Sequence, residues 1–440
     1  MGTDLRNRQA HHRHRCSVPE RGDISKTDVS YTNRVQPESD PQGGRWRIVG
    51  LAATLTTCLA TTVLFMFALA ALGPFLITDL GIDRTAFGAI TGAMFLTAAV
   101  AAPRAGALVD GLGPRRVLLG VFALAATGLV GAALSPAYPL LLVAAVAAGL
   151  ALTTGNSVTN RLVAAHVPSA AQGTLMGVAY SGAQVSALLT GAALPLAALA
   201  VGWRGALLLS AFIPLLGIAG AMMAVPSHPP HSEQARATRT HDRELIRWMS
   251  AYAFLMGCGA TGVPSYLALF AVDDLQLTPA TGGLAVACLG LAGILGRVWW
   301  SRQTHAAHNP AVTMAWLAGC SCAIQLGLLA AALTGAAWLL WPAALLFGLI
   351  PLSWMPVAMI AVVAATPFET AGRAAGRVQR TLFVGAAVTP PALGLLIDVQ
   401  GHYRGAWLAL TATFALATLA AWRPARSETI RLSTDAMKGA

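Results

Sequence analysis

The chain has 440 residues, of which 56% are hydrophobic and only 11% charged, with a formal net charge of +11. A soluble domain carries about 25% charged residues, so the composition argues against a water-soluble globule. The basic excess does not point to nucleic acid either, because the arginines gather in the loops of one side and no aromatic-studded basic patch is present.

Residues 1–46 are polar and charged, and predict a disordered cytoplasmic tail. They lack the apolar core of a cleaved signal peptide. His11, His12, His14 and Cys16 in this tail read as solvated side chains rather than metal ligands. Beyond Arg47 the sequence becomes a series of apolar stretches of about 18–25 residues, the length that spans a bilayer core. Their lack of apolar/polar alternation makes them helices, not barrel strands. The predicted spans are 48–77, 85–108, 115–134, 137–163, 172–200 and 204–225, then 248–272, 279–302, 310–334, 337–365, 374–398 and 405–422. The expected fold is an all-α integral membrane protein with twelve transmembrane helices. It divides into a six-helix bundle at 47–225, a cytoplasmic linker at 226–247, a second six-helix bundle at 248–422 and a cytoplasmic tail at 423–440. Five of the six cysteines fall in apolar runs and none has disulfide or zinc spacing.

Loops after the odd-numbered spans hold only Arg84, Arg204 and Arg404. The opposite side is rich in arginine, from Arg115, Arg116 and Arg161 through Arg297 and Arg302 to Arg423. Both termini are therefore expected in the cytoplasm. Lysine is confined to Lys26 and Lys438 while arginine and alanine abound, which suggests a high-GC bacterial gene and a plasma (inner) membrane.

An internal repeat supports the two halves. Trp203-Arg204-Gly205-Ala206 recurs as Tyr403-Arg404-Gly405-Ala406, Asp79-Leu80-Gly81 as Asp274-Leu275-Gln276, and Gly88 as Gly283. Paired bundles of this kind place a solute site near the midplane between them.

The loop between the second and third spans reads Gly106-Ala107-Leu108-Val109-Asp110-Gly111-Leu112-Gly113-Pro114-Arg115-Arg116. Gly106 suits close helix approach, and Gly113 suits a tight turn. Gly106, Asp110, Gly113, Arg115 and Arg116 resemble the signature loop of the major facilitator superfamily, at the matching turn. The resemblance implies a carrier in which Asp110 caps the start of the eleventh span and pairs with arginines in one access state only, a conformational latch. The family's basic residue four after the aspartate is Pro114 here, which shifts the expected pairing to Arg115, Arg116 or Arg161. The fifth span and its exit, from Gly177 to Arg204, more faintly resemble the cyanate-permease and organic-anion branches.

Polar groups within a span usually face a cavity or a partner helix. The candidates for substrate binding are Asn156, Asn160 and Arg161 of the fourth span, Tyr180 and Gln184 of the fifth, Tyr266 of the seventh, Trp354 of the tenth, and Gln379 and Arg380 of the eleventh. Gly262 and Pro264 are expected to interrupt the seventh span, and Pro351 and Pro356 the tenth, as gating kinks. No Asp or Glu lies in the middle of any predicted span. That absence favours a secondary active transporter of a small organic solute, an organic anion or weak acid, over a proton-coupled drug or metabolite efflux pump. A transporter-like solute sensor is the third reading. An enzyme is not expected, since no nucleophile motif, metal motif or deep histidine is present. The expected partners are the small-molecule substrate, a coupling proton and the lipid bilayer, in a monomer without cofactor, metal or nucleic acid.

Overall fold

The computed structural model describes residues 41–167, 169–225, 243–306, 310–355, 357–358 and 368–425. Most of both predicted tails and of the linker lie outside these residues, together with His11, His12, His14, Cys16 and Pro356. The elements are α1 Pro41–Leu80, α2 Arg84–Leu112, α3 Pro114–Ala133, α4 Tyr138–His166, α5 Ser169–Ser210 and α6 Phe212–Ala224. They continue as α7 Arg243–Asp273, α8 Pro279–Ala306, α9 Pro310–Thr334, α10 Leu340–Leu349, α11 Phe368–Gln400 and α12 Arg404–Ala425. No strand occurs among the described residues.

Ten apolar stretches among the described residues are long enough to cross a membrane. One of them, Thr174–Met223, has 50 residues. At about 1.5 Å per residue this is roughly twice the bilayer core. It is broken at Gly202, whose φ of 74° and ψ of 164° end one helix and begin the next. The helices carry large apolar side chains on their outward faces, such as Leu216 at 72% and Met223 at 89% exposure. A surface of that kind needs hydrocarbon around it.

The ends of the elements follow local chemistry. Asp83 caps α2 by accepting from the Ala86 amide at 2.7 Å. Gly113, at φ 82°, turns the chain, and Pro114 at the first position of α3 has no amide to leave unpaired. Several helices run past the predicted apolar limits, because backbone bonding stops at a cap or breaker and not at the edge of the hydrocarbon.

The kink expected in the seventh span is not present, whereas the one expected at Pro351 is. The hydrogen-bonded helix α7 runs unbroken from Arg243 to Asp273, with Pro264 inside it. Its glycines serve packing instead: an ideal Cβ on Gly262 would stand 2.9 Å from a Leu393 methyl and 3.1 Å from those of Leu410. At Pro351 the α-helix does give way, since α10 ends at Leu349 and Pro351–Ser353 forms a 3-10 turn.

The sequence repeat is present in the backbone. Gly202 and Gly401 share left-handed conformations, at φ 74° and 72°. Gly81 and Gln276 also correspond, at φ 61° and 54°, and Gln276 is the one non-glycine with positive φ among the described residues. Arg204 donates to the Ser135 carbonyl after α3, and Arg404 donates to the Ala332 carbonyl of α9. The chain before Val225 meets the chain after Arg243 mainly along two helix pairs, α2 with α11 and α5 with α8. Glycines permit both approaches. An ideal Cβ on Gly92 would stand 2.7 Å from the Ala387 carbonyl oxygen, and one on Gly191 would stand 2.5 Å from the Gly283 carbonyl oxygen.

Candidate functional site

The two crossing pairs enclose a cavity of about 140 Å³. Its lining includes Thr62, Met66 and Phe67 of α1, Phe95 of α2, Asn156 of α4, Tyr180 and Gln184 of α5, Thr261 of α7, Arg297 of α8, Trp354, and Gln379 and Phe383 of α11. These positions are near mid-length in most of the helices, and Arg297 sits toward the Asp110 end.

Arg297 is the charged member of this lining. It is 8% exposed, its Nη1 donates to the Tyr180 carbonyl oxygen, and its Nε is buried without a partner. An arginine has five donors and no acceptor, so a buried one wants several acceptors around it. Gln184 lies in the same wall, 1% exposed, and its Oε1 also lacks a partner. The two are coupled by register. An ideal Cβ on Gly293, one turn before Arg297, would stand 2.4 Å from Gln184 Cγ, so any larger residue there would displace this side chain. Among the described residues no Asp or Glu lines the cavity. A guanidinium so placed presents a planar fork to a carboxylate or similar anion.

Sequence reasoning placed Arg297 among the cytoplasmic loop arginines and did not select it for the site. The available signal was the run Gly290, Gly293, Gly296 before it, a stripe of small residues that brings helices close.

Of the expected binding residues, Asn156, Tyr180, Gln184, Trp354 and Gln379 come together in the cavity lining. Asn156 Nδ2 donates to the Leu152 carbonyl at 3.0 Å, and the Tyr180 hydroxyl donates to Asn160 Oδ1 at 3.3 Å. Asn160, Arg161 and Arg380 are exposed and are not part of the lining. Tyr266 lies elsewhere too. It is fully buried, with its hydroxyl 2.7 Å from the carbonyl oxygens of both Arg84 and Pro390, and ties α7 to α2 and α11.

At the Arg84 end the two halves of the chain are held together by charge. Asp398 of α11 accepts from the Arg84 amide at 3.0 Å, the Thr85 amide at 2.8 Å and the Thr85 hydroxyl at 2.6 Å. A carboxylate on a helix N-terminus satisfies amides that have no partner in their own helix and complements the dipole. Arg84 pairs with Asp273 at 2.9 Å, and the Tyr403 hydroxyl donates to the same carboxylate at 2.8 Å. Burial holds the Asp274 carboxyl above the usual carboxylate range, offset in part by the Tyr403 amide donating to it. Burial, with the Asp273 charge added, likewise pushes the Tyr403 phenol well up.

The Asp110 end is different. Asp110 pairs with Arg161 at 2.8 Å, with both side chains nearly half exposed. The expected partner Arg115 donates to the Met222 carbonyl at 3.0 Å, and Arg116 is exposed. A Cβ on Gly106 would meet nothing within 4 Å, so the close approach expected of this glycine is not made here. Gly88 and Gly92 of α2 lie tight against α11, whereas Gly106 of the same helix has no such neighbour among the described residues.

The sequence matches the family model described as "Major Facilitator Superfamily" over residues 53–376. No curated protein matches the sequence. Among solved structures, a bacterial homologue of the human lysosomal transporter Spinster, inward-facing and unoccupied, superposes with a TM-score of 0.67 at 13% identity, covering 90% of this chain and 98% of that one. Its inward-facing, occupied form gives a TM-score of 0.64 at 13% identity, over 87% and 97%. The human organic anion transporter MFSD10 gives a TM-score of 0.64 at 15% identity, over 87% and 99%.

Proposed function

The chain belongs to the Major Facilitator Superfamily and is a membrane transporter rather than an enzyme, and from that premise we propose that it carries a small organic anion or weak acid by secondary active transport. The observation that carries this reading is Arg297, buried in the central cavity with a donor to spare and no carboxylate in the described lining. A desolvated cation without a counter-ion is costly in a membrane interior. An anionic solute supplies the missing partner. The similarity to a structure named as an organic anion transporter agrees in fold. The efflux reading gains no support from the lining, which offers no titratable acid among the described residues.

Counting Thr174–Met223 as two spans and Ala337–Ser353 as part of another gives twelve. The arginine excess supports an orientation with the Asp110 end at the cytoplasmic face of a plasma membrane. On that orientation the Arg84 end faces outward, and its closure leaves the cavity to open inward. The Asp110–Arg161 pair is then the resting form of the latch, which would re-form against α11 in the other access state.

Proteoliposomes test the reading. A set of small organic anions is offered under an imposed pH gradient or membrane potential. Gradient-dependent flux of an anion, but not of its neutral amide, is expected. Vesicles that stay inert to every anion would contradict it. Arg297→Gln should cut the flux by at least about tenfold, since a hydrogen bond to a charged group contributes ~1.5–3 kcal/mol.

A further inference from the structure

The cavity that holds Arg297 also restricts the kind of anion it accepts. Its volume of about 140 Å³ is close to the ~150 Å³ of an apolar protein cavity that holds one benzene. Four rings, Phe67, Phe95, Phe383 and Trp354, line it beside aliphatic side chains such as Leu59, Met66 and Leu382. Phe95 and Phe383, from opposite halves of the chain, stand 6.0 Å apart between centroids at an interplanar angle of 45°. That tilt leaves ring edges and faces on offer to a third ring. The polar side is neutral except for one group. Thr62, Asn156, Gln184 and Gln379 carry no charge, and Arg297 is the only cation among the described lining residues. One guanidinium neutralises one carboxylate. A second carboxylate would lose its water without gaining a partner.

Resting on the organic-anion reading above, we propose that the cavity binds an aromatic monocarboxylate of a single ring, with the size and charge of benzoate. The carboxylate meets the unpartnered Nε edge of Arg297, beside Gln184. The ring enters the aromatic wall formed by Phe95, Phe383 and Trp354. The volume gives room for one ring beside Arg297, and the single cation disfavours dianions.

The test uses the purified full-length chain and titrates it calorimetrically with benzoate, benzamide, acetate, succinate, phthalate and inorganic phosphate. Benzoate should bind most tightly, and benzamide, acetate and phthalate each about tenfold or more weaker. Arg297→Gln should lose benzoate binding, while Arg297→Lys keeps part of it. Phe383→Leu, which leaves the charge in place, should weaken benzoate by roughly threefold to tenfold. Comparable elution and helicity of the variants excludes misfolding as the cause. If acetate, succinate, phthalate or phosphate binds as well as benzoate or better, and does so through Arg297, the aromatic inference fails and the anion reading stands. If none of these anions binds in an Arg297-dependent way, both fail.

Discussion

Arg297 shows how a residue's neighbours, not its type, decide its role. Read along the chain it precedes Trp299-Trp300-Ser301-Arg302 at the end of an apolar run, where a cytoplasmic anchor is the ordinary expectation. In space the small residues ahead of it let α8 lie against α5, and that contact turns the guanidinium inward onto the Tyr180 carbonyl. Side-chain direction across a helix contact is not written in a hydropathy profile. The neutral members of the site were legible, because Asn156, Gln184 and Gln379 are conspicuous in apolar surroundings. Gly293→Ala tests the arrangement, since an added methyl would displace Gln184. We expect the KM for the transported anion to rise by roughly threefold to tenfold, with an unchanged KM as the contrary result. A second residue-scale effect concerns pH. The Asp274 carboxyl titrates above its usual range because burial disfavours its charged form. The folded state therefore holds this proton more tightly than the unfolded chain does. Its stabilising contribution is complete below the ordinary carboxylate value of about 3.9 and is lost as pH rises through the raised value. Asp274→Asn should flatten that part of the melting-temperature profile between about pH 4 and neutrality. A variant with the same slope as the parent would remove Asp274 from this role.

At the scale of elements, the helix pairs α2–α11 and α5–α8 are related by the repeat and do the joining. The match of Gly88 with Gly283, read as part of the internal repeat, is in space a match of packing. Each glycine lets its helix touch the partner backbone, Pro390 in one case and Gly191 in the other. The repeat also explains Gln276, which occupies the left-handed position that glycine fills at Gly81. Breaks were harder to read. The glycines and proline of α7 suggested an interrupted helix, yet Gly257 and Gly262 are occupied by contacts with α11 and α12 and the helix continues. Sequence gives the capacity to bend, and packing decides whether it is used. The clearest element-level test is Asp398→Asn. It removes the charge that caps α2 and leaves a weaker acceptor for three donors. Closure at the Arg84 end should weaken by about 1–2 kcal/mol. Spin labels placed across that end should report a larger open fraction, and an unchanged distance distribution would count against the cap as a tie between the halves.

The described helices beyond Arg45 are tied by charge at the Arg84 end and carry a half-exposed ion pair at the Asp110 end, with the cavity between. The class, an all-helical membrane protein, was open to sequence reading because bilayer thickness imposes a length on every span, as the ten apolar stretches among the described residues reflect. The loop from Gly106 to Arg116 was legible as a motif, but the partner of Asp110 was not. Asp110 is found with Arg161, and Gly106 has no close neighbour among the described residues. A ligand that binds one state better shifts the balance toward it, so an anion drawn to Arg297 links solute occupancy to the two ties. The most direct measurement of this account is uptake of a labelled small organic anion by proteoliposomes containing the parent chain, Arg297→Gln or Arg297→Lys at matched protein content. The account predicts gradient-driven uptake by the parent, loss of about tenfold or more in the glutamine variant, and partial recovery in the lysine variant. Uptake by Arg297→Gln equal to that of the parent would contradict it.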